Sequence, residues 1–184
     1  MSKLILPILA MVGVVVSSNF LVQYPLDGTL AGINLADWLT WGAFTYPAAF
    51  LVTDLTNRAF GVSLTRRVVY AGFAVGVLLS LLLATPRIAL ASGTAFLFGQ
   101  LLDVTIFNWL RRMSWWKAPF IGTLLGSIVD TSVFFSIAFA ATGLPWGQWA
   151  LGDFVAKVTM AILFLAPYRA LMNVIRPVPQ PAIA

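Results

Sequence analysis

Apolar residues dominate this chain in runs of about twenty, and the polar residues gather in short breaks between them. The runs are Leu4–Gln23, Ala36–Asn57, Val68–Ala84, Ile88–Leu110, Ala118–Thr142 and Trp146–Met172. The breaks "QYPLDG", "GVSLTRR", "TPR", "RRMSWWK" and "TGLPWGQ" supply the Pro, Gly, charge and interfacial Trp that end helices at a membrane surface. A spanning helix needs about 20 mostly apolar residues, so the pattern predicts an all-α integral membrane protein of six transmembrane helices.

Composition sharpens that reading. With 60% hydrophobic and 9% charged residues over 184 positions, the chain lies far outside the range of soluble domains. One six-helix domain is expected over residues 1–176, followed by a disordered Pro-rich tail over 177–184. The run after Lys3 is long enough to span and lacks a small-x-small cleavage site, so it reads as an uncleaved first helix rather than a signal peptide.

The excess of Lys and Arg would suggest nucleic acid in a soluble protein, but here it follows topology. Lys3, Arg58, Arg66, Arg67, Arg111, Arg112, Lys117, Arg169 and Arg176 fall on one side of the six spans, and Arg87 falls on the other. The positive-inside rule then puts both termini in the cytoplasm. Lys157 stands apart because it falls inside the sixth run. All six acids are aspartates, and there is no histidine or cysteine, which excludes thiol chemistry, histidine bases and nearly every zinc or copper site. No cofactor and no metal are expected.

Two acids sit in stretches that nearly rhyme, "GQLLDVTIF" (Gly99 to Phe107) and "GSIVDTSVF" (Gly126 to Phe134). An ionisable group at membrane depth costs several kcal/mol, roughly, on insertion scales, so Asp103 and Asp130 should face protein or water. Helical spacing aligns Phe96, Gln100, Asp103 and Phe107 on one stripe, and Ser127, Asp130 and Phe134 on another. The two copies lie on adjacent spans of opposite direction, a pairing that resembles the inverted repeats of transporters. In the second run, Tyr46, Phe50, Asp54 and Asn57 share one face, and Pro47 should kink the helix. Lys157 has Asp153 one turn before it; the alternatives are an i, i+4 ion pair or a reach to Asp130 or Asp103 that stabilises the ionised acid. Small residues four apart, Gly72/Gly76 and Gly122/Gly126, suit close helix crossings within one chain, with homodimerisation as the alternative.

Acids with amide and aromatic side chains suit a planar, nitrogen-rich ligand better than an anion. A carboxylate accepts two hydrogen bonds from the ring N–H and exocyclic amine of a guanine-like edge while an aromatic ring stacks on its face. For the aromatics taken singly, lipid contact or core packing is the expected role, since 14% of the chain is aromatic.

The stretches "FTYPAAFLVTDLTNRAFG" (Phe44 to Gly61), "FLFGQLLDVTIFNWLRR" (Phe96 to Arg112) and "LLGSIVDTSVFFSIAF" (Leu124 to Phe139) together resemble the bacterial queuosine precursor transporter family, also called the vitamin uptake transporter family. The similarity covers roughly residues 39–171. It implies import of 7-deazaguanine bases, with cyano or aminomethyl substituents, across the bacterial inner membrane. It also implies a fold similar to the S components of energy-coupling-factor transporters. The family positions that map here are Tyr46, Pro47, Asp54, Asn57, Gln100, Asp103 and Asp130. S components that dock an energising unit often carry an Ala-x-x-x-Ala stripe on the first helix; here Ala10 is followed four on by Val14, which weakens the case for such a partner.

The leading expectation is therefore a small transporter, not an enzyme, with a nucleobase-like substrate in a midplane pocket. Its candidate substrate-binding residues are Tyr46, Phe50, Asp54, Asn57, Phe96, Gln100, Asp103, Asp130 and Lys157. One alternative is a binding subunit energised by a separate ATPase, since the chain has no phosphate loop. A remote one is an intramembrane aspartyl protease using Asp103 and Asp130 as a dyad, although the Tyr-Asp and Gly-x-Gly-Asp contexts of those enzymes are absent.

Overall fold

Helix α1 (Ile5–Leu21) fills the first apolar run and carries no charged side chain. In the computed structural model, which describes residues 2–177, the later runs become α4 (Val62–Leu83), α5 (Pro86–Leu110), α6 (Lys117–Phe139) and the pair α7 (Trp146–Leu163) and α8 (Leu165–Leu171). Among the described residues, four helical segments are long and apolar enough to cross a membrane: α4, α5, α6 and the combined Trp146–Leu171. Helix α1 is apolar but shorter, at 17 residues. Past Pro177, the Pro-rich tail lies outside the described residues.

The second run departs most from a continuous span. Residues after α1 form a hairpin, β1 (Thr29–Leu30) and β2 (Ile33–Asn34), paired antiparallel with Thr29 opposite Asn34. Its turn residues Ala31 and Gly32 both have positive φ, 49° and 82°, as a two-residue primed turn requires. A single 3₁₀ turn follows at Leu35–Asp37, capped by the Asn34 side chain, which accepts from the Ala36 N–H. Helix α2 (Gly42–Thr45) and helix α3 (Ala48–Phe60) are separated at Pro47. The proline has no N–H to give, and the chain tightens there through Ala49 N–H to the Tyr46 carbonyl and Phe50 N–H to the Pro47 carbonyl. The expected kink at Pro47 is thus a break between two helices.

Gly61, with φ 78°, ends α3 and turns the chain into α4, which begins at Val62 rather than the expected Val68. Arg66 and Arg67 therefore sit on the exposed side of its early turns. At the α4–α5 corner the Thr85 hydroxyl accepts from the Ile88 N–H, and Pro86 occupies the first helical position. Arg87 then reaches across to donate to the Ile137 and Ala140 carbonyls, both at 2.7 Å, and so closes the C-terminal end of α6.

Glycines set the close approaches. A Cβ at Gly72 would stand 2.6 Å from Met11, and one at Gly76 would stand 3.3 Å from Val15, so both serve the α1–α4 contact inside one chain. At the centre, α5 and α6 cross on Gly99 and Gly126. A Cβ on Gly99 would meet the Asp130 Cβ at 2.9 Å and the Gly126 carbonyl at 3.0 Å; one on Gly126 would meet the Gly99 carbonyl at 2.9 Å and the Asp103 Cβ at 3.3 Å. The two rhyming stretches thus pack reciprocally, each glycine making room for the other's aspartate. Replacing Gly99 by Val is expected to lower stability by about 1–3 kcal/mol, read as an earlier thermal unfolding midpoint in detergent, because the new atoms meet backbone that cannot yield.

The bundle has two chemically different ends. At one, Arg58 donates to the Ile175 and Met172 carbonyls, Arg111 donates to the Asn57 carbonyl at 2.7 Å, and Arg169 lies over the Trp115 ring. At the other, Gln148 donates to the Asp37 carbonyl, and the hairpin segment packs on α7 with the Trp38 carbonyl set against Gly152.

Candidate functional site: a cavity floored by an Asp-Lys-Asp network

A cavity of about 460 Å³ lies toward the end that carries the hairpin, within the roughly 300–1,000 Å³ usual for small-molecule sites. Its walls come from the last turns of α1 and α6, the first turns of α5 and α7, and the segment from Ala36 to Ala43. Each helix contributes the residues that its end exposes there. Polar groups are few and convergent, while Trp38, Phe134, Phe135, Phe139 and Trp149 supply most of the apolar wall.

The polar groups form one network. Lys157, on α7, ion-pairs with Asp130 on α6 at 2.6 Å and with Asp153, one turn before it, at 2.5 Å. Tyr46 donates to the other Asp130 oxygen at 2.7 Å. Thr131 donates to Asp153 at 2.7 Å and accepts from Lys157 at 3.0 Å. The Lys157 ammonium also lies 5.2 Å from the centre of the Tyr46 ring, a favourable cation–π distance. Both expected roles of Lys157 hold at once: it makes the i, i+4 pair and also reaches Asp130.

Exposure separates the two acids. The Asp130 side chain is 5% exposed, whereas that of Asp153 is 19% exposed and so presents the more accessible carboxylate to the cavity. Around them the rings meet edge to face. Phe139 and Trp149 have centroids 5.4 Å apart, and Phe134 lies 5.1 Å from Phe135 and 6.0 Å from Phe139.

Of the nine side chains singled out from sequence, Tyr46, Asp130 and Lys157 line this cavity. Phe96 lies behind Tyr46, with ring centroids 6.3 Å apart, and Phe50 packs edge-on against the same tyrosine. Asp54, Asn57, Gln100 and Asp103 occupy a separate buried layer nearer the basic end. There Thr53 donates to the Gln100 carbonyl oxygen and Asn57 donates to the Val104 backbone carbonyl. Sequence reasoning missed Ser18 and Asn19 on α1, Ser92 on α5, and Trp38 and Trp149. Trp38 offers no periodic signal because its segment is not helical. Trp149 lies just past the break "TGLPWGQ", inside an apolar run that gives it no polar signal.

The family model described as a putative vitamin uptake transporter matches residues 40–85 and 78–171. The chain is 38% identical to the queuosine precursor transporter of Escherichia coli (strain K12), over 88% of this chain and 83% of that protein. It is 35% identical to the probable queuosine precursor transporter of Haemophilus influenzae, with the same coverage, and 29% identical to a Bacillus subtilis protein of the same name over 70% of this chain and 69% of that one. No solved structure matches it. With a multi-pass helical bundle and these relatives, the chain belongs to the vitamin uptake transporter family and is a membrane transporter, not an enzyme.

Proposed function

We propose that this protein imports queuosine precursors, 7-deazaguanine bases such as the 7-cyano and 7-aminomethyl forms, across the bacterial inner membrane. The relatives' names supply the substrate class. The observation that carries the reading is the Asp130–Lys157–Asp153 network on the wall of a large aromatic cavity. The Asp153 carboxylate, beside its ion pair with Lys157, accepts the paired N–H and amine donors of the guanine-like edge. Phe134 and Trp149 offer faces for stacking.

Six crossings follow if α1, the α2–α3 pair, α4, α5, α6 and the α7–α8 pair each span once. The basic end is then cytoplasmic, and the cavity faces the opposite side, where an importer meets its substrate. Phe50 and Phe96 hold Tyr46 in place. Asp54, Asn57, Gln100 and Asp103 lie in a buried layer outside the cavity, and the base is not assigned to them.

A thermal-shift screen of the purified protein tests the substrate class. A ligand at a hundred times its Kd adds about 2.7 kcal/mol of apparent stability. The 7-deazaguanine bases are expected to raise the unfolding midpoint, and water-soluble vitamins are expected to leave it unchanged. A vitamin that raises the midpoint when no deazaguanine does would overturn the reading.

A further inference from the structure

The substrate network leaves a second pair of acids unused. Asp54 on α3 is 2% exposed and Asp103 on α5 is 0% exposed, and both face the same turn of α6: Asp103 Oδ1 would stand 2.6 Å from a Cβ on Gly122, and Asp54 and Thr123 line one small void. Neither oxygen of Asp103 has a hydrogen-bond partner among the described residues, nor does Oδ1 of Asp54; Thr123 on α6 bonds to Asp54. Asn57 Oδ1 and Ser127 Oγ, buried in the same layer, are also without partners.

The charged and titratable groups on the surrounding elements are engaged elsewhere or face outward. Arg58 on α3 holds the carbonyls at the end of α8, and Arg111, past the end of α5, donates to the Asn57 backbone carbonyl and lies over the Phe107 ring. Tyr168 on α8 faces Asp54 and bonds to Arg58. Lys157 and Asp153 on α7, Asp130 on α6 and Tyr46 after α2 belong to the cavity network, while Arg66, Arg67 and Tyr70 on α4 are exposed. Lys117 at the start of α6 lies beside the Trp116 ring.

Two like charges buried together are too costly to persist. A proton removes one charge and turns an acceptor into a donor. The void beside Asp54 measures about 10 Å³, near the lower limit for a single water and too small for a hydrated metal ion.

We propose that Asp54 and Asp103 hold one exchangeable proton between them, and that this proton drives accumulation of the substrate. The proton enters with the base, binds one carboxylate of the pair on the outward-facing form, and leaves to the cytoplasm on the inward-facing form. The helix crossing supplies the link between the two sites. Gly99 rests on Asp130 and Gly126 rests on Asp103, so a shift of α5 against α6 at this point changes the surroundings of both acids together. The substrate's identity here rests on the function proposed above; the proton site does not.

The test uses the purified full chain in liposomes, with labelled 7-deazaguanine base, in sodium-free buffer and again with a sodium gradient. An inside-alkaline gradient is expected to drive accumulation by the wild type. D54N and D103N, which mimic the protonated acid, are expected to abolish that accumulation while keeping exchange of labelled for unlabelled base. D103E, which retains a proton site, is expected to restore part of it. Infrared spectra, which need no substrate, are expected to show a carboxylic-acid carbonyl band that D54N and D103N remove. Accumulation that ignores the pH gradient or follows sodium, a wild type that exchanges the base but never concentrates it, or the absence of the infrared band would each overturn the proton site. A wild type that neither binds nor exchanges the base, yet shows the band and its loss in both variants, overturns the assigned substrate and supports the proton site.

Discussion

Replacing Lys157 by Met is expected to destabilise the folded protein by about 3–5 kcal/mol, seen as a large fall in the detergent unfolding midpoint and in membrane abundance. Lys157 pairs with two acids, 2.6 Å from Asp130 and 2.5 Å from Asp153, and among the described residues no other cation pairs with either; it is 4% exposed. Without it Asp130 keeps the Tyr46 hydroxyl and Asp153 keeps Thr131, but neither hydroxyl carries a charge. The double change K157M/D130N is therefore expected to be less harmful than K157M alone, since it removes one stranded charge along with its partner. Equal or greater loss in the double variant would show that Lys157 acts through packing rather than charge.

Asp130→Asn is expected to reduce base affinity by roughly tenfold to a hundredfold and to bring uptake to background, with membrane abundance unchanged. The amide can still accept from Tyr46, but its NH₂ faces the Lys157 ammonium, donor against donor. Lys157 then turns wholly to Asp153 and ties up the carboxylate that the base needs. Because that ion pair persists, the fold survives. Uptake assays in membranes, normalised to protein abundance, separate the two effects; wild-type uptake would show that Asp130 has no part in the site.

Apolar run length read most of this molecule from its sequence, because a lipid-facing helix must be apolar along its whole length. Helices α5 and α6 lie close to the expected runs at both ends, and the glycines at 72, 76, 122 and 126 pack within the chain as the in-chain reading required. Hydropathy alone hid the breaks. Residues 36–41 read as the start of the second span, yet they follow the hairpin as a 3₁₀ turn and irregular chain, and Ala36, Trp38, Leu39 and Thr40 line the cavity. The second break, between α7 and α8, has Pro167 in its first turn, which cannot donate within the helix.

The chemistry was legible at the level of residue type. Helical stripes identified Asp103 and Asp130 as inward-facing, and both are buried, but a stripe fixes only the direction around a helix axis. It cannot say that antiparallel neighbours place these acids on opposite sides of the Gly99–Gly126 crossing, in two different polar layers. The pairing of Lys157 with both Asp130 and Asp153 likewise needed the α6–α7 contact, since only one of those partners is near in sequence.

The natural absence of cysteine gives the most direct test of the cavity as the substrate site. Ser92, on the cavity wall from α5, is changed to Cys as the chain's single thiol, and its labelling by a water-soluble thiol reagent is followed with and without 7-deazaguanine base. The expected result is ready labelling that saturating base suppresses and that a water-soluble vitamin does not. Labelling that proceeds equally fast with the bound base present would contradict the assignment of this cavity.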